Sequence, residues 1–502
     1  MRPHHLASVA VLLSAVATGA ACGSSDAANA GAGASAPDAS STRSTASAGT
    51  GTPATTSGAG GSDATSSTGS PASGGGTPSS AGGGGAGTFG DPTGRAAIAA
   101  VDFLGSIGVC THVGQGVDAP DASATAIAFA GIRALRDDGR PEHVQDWVSM
   151  HASSGVRVAL LTNQDVAGTV AMAKSLAAAG ALLAVEGPNE PNNFPVTYGG
   201  ATSDYATTFV PVANLQRDLY AAVKAEPSLA GIPVFHASEA GGSEPDDVGL
   251  QFLTIPAGAN IAMPDGTQYA DYANTHNYVC GHSSQLVDNV AWSASDPTLN
   301  GDWDGPYVEY GHTWHGGFDG YADPDLETLP KVTTETGWVT QGANAISEEQ
   351  QARLFLNLYL AAYARGFSYT FVYMLRDDPV QGYWGLFDVS YQPKQSGTYL
   401  HNLTTILDDA GGSATGLFDY SIASEPATVH DLLLQKGDGT FELVVWDERP
   451  SGGSDDVIVD LGHPRATVRV YDPTTGTTPT NTQHGVESVT VTLTDHPVVL
   501  EI

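Results

Sequence analysis

Short apolar runs and helix-patterned stretches alternate along residues 107–374. The runs fall at 107–111, 132–135, 156–161, 182–185, 233–237, 273–279, 332–334 and 368–374, which makes eight candidate strands. The stretches between several of them carry helix punctuation. Residues 166–179 are alanine-rich and stop at Gly180, and 141–154 stop at Gly155. Ser347 is followed three residues later by Gln350, a capping box, and then by Leu354, Leu358, Ala361 and Ala362 at helical spacing. Strands and helices in this alternation predict a (β/α)8 or TIM barrel. An open doubly wound sheet is the competing α/β arrangement, but no glycine-rich nucleotide turn follows the first strand.

Beyond Gly411 the period shortens to that of strands alone, at 427–435, 441–446, 457–461, 467–471, 488–493 and 498–502, with turns such as Gly437-Asp438-Gly439 between them. This predicts an all-β sandwich over 411–502, packed on a barrel domain over 89–410. Few clustered aromatics mark it, which favours a structural role over sugar binding.

The first 88 residues are of another kind. Arg2, His4 and His5 precede an apolar segment over about 6–17, too short to span a bilayer, so 1–21 is expected to be a cleaved export signal. The run Gly19-Ala20-Ala21-Cys22 resembles a bacterial lipoprotein box, with Gly19 where leucine usually stands, so Cys22 is a candidate for lipidation and plain secretion is the other outcome. Residues 22–88 are mostly Gly, Ser, Ala, Thr and Pro and are expected to form a disordered linker. The expected location is the cell surface or outer envelope as a lipoprotein, or the medium as a secreted protein. The membrane is touched only through the N-terminal lipid, and the chain is expected to be a monomer.

A net charge of −35, from 54 acidic and 19 basic residues, argues against nucleic acid as a partner. Besides Cys22 the chain has Cys110 and Cys280, which allow either a disulfide or two buried thiols.

The candidate chemistry begins where the apolar run 181–185 ends on Glu186-Gly187-Pro188-Asn189-Glu190-Pro191. Glu190 lies just past the fourth strand, and Glu335 ends the seventh in KVTTETGW. Barrel function gathers at the C-terminal strand ends, so the two glutamates are expected to face one another across the mouth. Paired carboxylates of this kind suit glycoside hydrolysis. One protonates the leaving oxygen; the other attacks the anomeric carbon or activates water.

Asn189-Glu190-Pro191 and Thr334-Glu335-Thr336-Gly337-Trp338 resemble the paired-glutamate motifs of glycoside hydrolase clan A, such as families 5 and 39, over residues 100–405. The resemblance implies a retaining β-glycoside hydrolase acting on an oligo- or polysaccharide without a cofactor, its carboxyl groups about 5–5.5 Å apart. It makes Glu190 the acid/base, Glu335 the nucleophile and Asn189 a ligand of the sugar 2-hydroxyl. In His276-Asn277-Tyr278 it makes Tyr278 the residue that orients the nucleophile and places His276 near the acid/base. Arg136, with Arg133 as the competing choice, would lie near the nucleophile. Tyr373 ends the eighth strand, and Trp384, in Tyr383-Trp384-Gly385, would stack on a sugar ring. Asn163 stands where many clan members carry a histidine. Service as an acid near neutral pH asks for a Glu190 carboxyl above its ordinary value of about 4.3.

Other readings remain. A transglycosylase would use the same site, and a non-catalytic glycan-binding lipoprotein would keep the fold. Glu186 is better suited to pairing with an arginine than to catalysis. His112 is either a subsite ligand or a barrel histidine, and His236 leans structural. His276, His282, His312 and His315 match no zinc spacing, so no metal is expected. Asp323, Asp325 and Glu327 read as solvated acids. Trp303, Trp314 and Tyr321 either line subsites or pack the segment after the sixth strand.

Overall fold

The computed structural model describes residues 94–238, 246–276, 278, 328–342, 345–409, 411–412, 416–426, 428–448 and 453–502. The export signal, Cys22, the linker and most of 277–327, with Cys280, Trp303, Trp314 and Tyr321, lie outside the described residues.

Eight strands form the barrel: β1 (Ile107–Cys110), β2 (Ala134–Asp138), β3 (Arg157–Leu161), β4 (Leu182–Glu186), β5 (Val234–Phe235), β6 (Ala273–Thr275), β7 (Lys331–Thr336) and β8 (Phe367–Val372). They are hydrogen-bonded in the order β6-β7-β8-β1-β2-β3-β4-β5, every pair parallel. A parallel bridge between Phe235 and Tyr272, with His236 N donating to Tyr272 O at 2.9 Å, brings β5 to the start of β6 and closes the ring. The chain is therefore a (β/α)8 barrel. Helices α1 (Pro120–Ala130), α2 (Val144–Ser154), α3 (Val166–Ala178) and α4 (Val210–Ala225) follow the first four strands; α5 (Glu348–Ala364) and α6 (Gln395–Ile406) follow β7 and β8. The capping box expected at Ser347 forms: its hydroxyl accepts from Gln350 N, and the Gln350 side chain accepts from Ser347 N. No helix among the described residues is long and apolar enough to cross a membrane.

Side chains fill the ring in layers, as a tilted eight-stranded barrel requires. Cys110, Ala134, Ala159, Leu183, Ala184, Phe235, Val332, Phe371 and Met374 make the apolar layer. The mixture of small and large residues follows from the narrow interior: a Cβ on Gly108 would stand 2.6 Å from the Phe371 ring. Cys110 is a buried thiol that donates to Thr334 O at 3.1 Å. Above this layer the alternation of β2 and β4 turns Arg136 and Glu186 inward, one step beyond Ala134 and Ala184.

The C-terminal domain holds β9 (Ser421–Ala423), β10 (Val429–Gln435), β11 (Phe441–Asp447), β12 (Asp455–Tyr471), β13 (Asn481–Leu493) and β14 (Val498–Glu501). The runs at 457–461 and 467–471 are one long strand with an irregularity between Asp460 and Arg465. One end of β12 pairs with β9 and the other with β14. Its first half thereby carries Val457, Val459 and Leu461 into one core with Leu443 and Val445 of β11. The neighbours Leu432, Leu434, Val444, Trp446 and Val499 alternate to the opposite face and join the core around the barrel helices. Burial on both faces goes with the unbroken apolar stretches Leu432–Leu434 of β10 and Leu443–Trp446 of β11. The leading strand Ile98–Ala99, which the 89–410 boundary assigned to the barrel, pairs parallel with β10 in this sheet.

Candidate active site

Residues at the C-terminal ends of β2, β4, β6 and β7 meet around Arg136. Its Nε donates to Glu186 Oε1 and Oε2 at 3.1 and 2.9 Å, and its Nη2 to Glu186 Oε1 at 2.8 Å and Asn189 Oδ1 at 2.7 Å. Nη1 donates to Glu335 Oε1 at 2.6 Å. Arg133 lies instead at the other end of the barrel, 4.0 Å from Asp408, which settles the choice between the two arginines. Glu186 is fully buried and Arg136 nearly so. Burial alone would lower the guanidinium's pKa, but the Glu186 and Glu335 carboxylates outweigh it and hold the guanidinium well above its ordinary value.

The turn after β4 places the second carboxylate. A Cβ on Gly187 would stand 1.9 Å from Gln216 Oε1 and 2.7 Å from the Ala237 nitrogen, so only glycine lets the chain pass between α4 and β5. Glu190 follows with φ +37°, a left-handed conformation rare outside glycine. It is held there by Glu190 N donating to Ser238 O at 2.7 Å, and by Asn193 N and Phe194 N both donating to Glu190 O at 2.8 Å. Strain sustained by so many contacts is characteristic of functional positions.

Glu190 Oε1 is 2.7 Å from His276 Nδ1, and Glu190 Oε2 accepts from Asn193 Nδ2 at 3.0 Å. His276 Nε2 lies 3.1 Å from Thr334 Oγ1, which is also 3.0 Å from Glu186 Oε1 and 3.1 Å from Asn274 Oδ1. Tyr278 donates to Glu335 Oε2 at 2.9 Å. Its own proton is held firmly, because burial and the nearby Glu335 carboxylate push the phenol up. A carboxylate oxygen of Glu190, one of Glu335 and a ring nitrogen of His276 all lie within 4.8 Å of one another. Both His276 nitrogens are engaged, at Glu190 and at Thr334, so hydrogen bonds link this trio to the cluster around Arg136.

An aromatic wall completes one side. The Trp384 ring meets Tyr278 and Tyr373 edge-on, with centroids 5.6 and 6.2 Å away. Tyr373 OH lies 3.4 Å from His112 Nε2 and donates to Gln381 Oε1 at 3.4 Å.

Glu190, Glu335, Asn189, His276, Tyr278, Arg136, Tyr373 and Trp384 thus fall in one contiguous cluster. Two expectations are corrected, those for Asn163 and for the proton affinity of Glu190. Asn163 does not face the site: it is exposed and accepts from Asp165 N and Thr169 Oγ1 at the start of α3. His236, read from the sequence as leaning structural, is buried against Tyr269, and burial pushes it down to about 4. Glu190 is not raised. Burial pushes it up, but the hydrogen bond and charge of His276, the hydrogen bond of Asn193 and the field of Arg136 together leave it below its ordinary value.

Thr334 and Asn193 went unnoticed in the sequence. Strict alternation would turn Thr334 away from a mouth that Glu335 faces. The pairing of β7 with β8 slips between Thr333 and Thr336, and this irregularity lets both neighbours reach the cluster. Asn193 carried no signal beyond lying three residues after Glu190.

No protein-family model and no curated protein matches this chain. Among solved structures it is similar to a family 30 subfamily 8 xylanase from Clostridium acetobutylicum, with 12% identity and a TM-score of 0.47 over 81% of this chain and 96% of that one. It is also similar to the catalytic domain of a family 30 xylanase from Talaromyces cellulolyticus, with 14% identity and a TM-score of 0.46 over 82% and 98% of the two chains. A glucosidase from Croceicoccus marinus is similar at 12% identity, with a TM-score of 0.46 over 82% and 96%. The class of the protein is set by its own strand order and side chains: a (β/α)8 barrel with two facing carboxylates at its C-terminal mouth.

Proposed function

We propose that this chain is a retaining β-glycoside hydrolase, with Glu335 as nucleophile and Glu190 as acid/base. The observation that carries the reading is the approach of the two carboxylates to within 4.8 Å. An oxygen-to-oxygen approach this close is compatible with the roughly 5–5.5 Å separation of the carboxyl groups in retaining enzymes.

The surroundings suit the two roles. Arg136 and Tyr278 each hold one Glu335 oxygen, which fixes the plane of the attacking carboxylate. Three carboxylates, Glu186, Glu190 and Glu335, gather near one guanidinium. With Glu190 protonated for the first step, the Glu186 and Glu335 carboxylates still outnumber the guanidinium, and this excess negative charge favours the positive charge that develops at the anomeric carbon. Asn189 Oδ1 is taken by Arg136, which leaves its Nδ2 as the donor for the sugar 2-hydroxyl. Trp384 and Tyr373 offer flat faces to the ring. Once Glu335 is esterified its charge is gone, and the ionised Glu190 activates the water that releases the sugar.

The test is Glu335→Ala with a panel of 2,4-dinitrophenyl β-glycosides. Turnover of whichever sugar the wild type accepts falls at least about a thousandfold. Added azide then restores release of dinitrophenol and gives a glycosyl azide of inverted configuration. A variant that keeps the wild-type rate removes Glu335 from the role of nucleophile.

A further inference from the structure

The two oxygens of Glu190 have unlike partners. Oε1 faces His276, whose side chain is fully buried and whose other nitrogen is tied through Thr334 to Glu186. Among the described residues, Oε2 faces the amide of Asn193, an exposed residue on the surface of the turn. The proton that reaches a leaving group must therefore sit on Oε2, where Asn193 now donates. A primary amide carries a donor and an acceptor on one rotatable group. It can donate to an ionised Oε2 and, turned over, accept from a protonated one.

We propose that Asn193 is a positioning residue that governs the proton state of Glu190 and yields Oε2 to the glycosidic oxygen. This rests on the hydrolase reading above. In the first half-reaction the O–H bond at Oε2 breaks, its proton passes to the glycosidic oxygen, the anomeric carbon–oxygen bond breaks, and the carbon bonds to Glu335. In the second, a water oxygen bonds to that carbon, the water's proton passes to Oε2, and the ester to Glu335 breaks. Asn193 donates to Oε2 only while Oε2 is unprotonated, so it favours the base form between turnovers. The charged and titratable groups that bear on Glu190 are His276 from β6, Arg136 from β2, Glu335 from β7, and the phenols of Tyr278 and Tyr373. Among the described residues, Asn193 is the partner that comes from the turn itself, where solvent or substrate can displace it.

The test uses Asn193→Ala and Asn193→Asp in the full chain, with phenyl β-glycosides as a probe that needs the proton and 2,4-dinitrophenyl β-glycosides as one that does not. With the phenyl probe, the alkaline limb of kcat/KM moves to higher pH, by about 0.5–1 unit in the alanine variant. It moves further in the aspartate variant, which adds a negative charge. With the dinitrophenyl probe the profile stays in place. A direct titration of the Glu190 carboxyl by 13C NMR, assigned by difference with Glu190→Gln, shows the same displacement without any substrate. An unmoved Glu190 titration in both variants overturns the inference whatever the activity. A moved titration in a protein that turns over no glycoside instead overturns the hydrolase reading and, with it, the catalytic part of this inference.

Discussion

Around Arg136 the barrel mouth buries a guanidinium, the Glu186 carboxylate, His276 and Thr334, each with a partner within 3.1 Å. The core of the C-terminal domain holds Leu443, Val445, Val457, Val459, Leu461 and Val491 together with Phe418 and Phe441, with apolar contacts throughout. Both are dry interiors of one chain, yet they respond differently to damage. In the apolar core a truncation leaves a cavity, and the cost grows with its volume. In the charged cluster, removing one partner leaves another buried charge uncompensated, and the geometry of every remaining carboxylate changes with it. The domain contributes stability that any volume-preserving set of residues could supply, whereas the mouth holds an arrangement in which identity matters atom by atom.

Arg136→Met tests the charged side of this contrast and carries the largest expected effect. Glu186 loses its cation while it stays buried, which costs about 3–5 kcal/mol of unfolding free energy. Glu335 and Asn189 lose their common anchor at the same time, so glycosidase turnover falls by at least about a hundredfold. Arg136→Lys separates the two losses. An ammonium can neutralise Glu186 but cannot bridge Glu186, Asn189 and Glu335 in one plane, so stability largely returns and turnover does not. Denaturant titration alongside kcat measures both. Full recovery of turnover in the lysine variant would show that charge alone suffices at this position.

Trp446→Ala tests the apolar side. Trp446 is fully buried on the face of β11 that joins the core around the barrel helices. Its loss is expected to cost about 3–5 kcal/mol. While the protein remains folded, kcat stays within about a factor of two of wild type, because the Trp446 ring packs against His430 and its indole N–H donates to Glu448, both of the C-terminal domain. A large fall in kcat without a fall in the denaturation midpoint would mean that the domain shapes the site, and the contrast drawn above would lose its apolar half.

How far these regions could be read from the sequence follows the same division. All eight barrel strands lay within a few residues of the apolar runs, since a strand buried on both faces needs such a run. The second strand was the least well placed: its run at 132–135 stops where Arg136, Asp137 and Asp138 begin, yet β2 continues to Asp138. Charged residues there are tolerated because the strand end forms the mouth, and Asp137 accepts from Thr111 Oγ1 and from the Val113, Gly114 and Asp138 nitrogens. Glu190, Glu335, His276 and Tyr278 were legible because each ends or follows a strand on the functional face. Thr334 was hidden by the slip in β7. The proton affinity of Glu190 was misjudged because it depends on Asn193 and His276, whose distances no spacing in the sequence reveals.

That proton affinity gives the smallest effect and the finest test of how the mouth differs from an ordinary interior. Burial alone would raise a carboxyl, as it raises Glu442 of the C-terminal domain to about 7 despite the Lys436 ammonium beside it. Glu190 is partly buried, its side chain 15% exposed, yet His276, Asn193 and Arg136 bring it below its ordinary value. An acid with a lowered pKa loses its proton sooner as pH rises. For phenyl β-glycosides, whose departure needs that proton, kcat/KM should already be falling above pH 4.5, by about tenfold per unit. For 2,4-dinitrophenyl β-glycosides, which leave unaided, kcat/KM should stay level into the neutral range. The same shift has a consequence for folding with the opposite pH sense: the stability that the ionised Glu190 contributes is complete above its ordinary pKa and is lost as pH falls through the lowered one. Parallel profiles for the two leaving groups, both holding to pH 7 before they fall, would mean that Glu190 behaves like the merely buried Glu442 and that its hydrogen bonds do not set its proton.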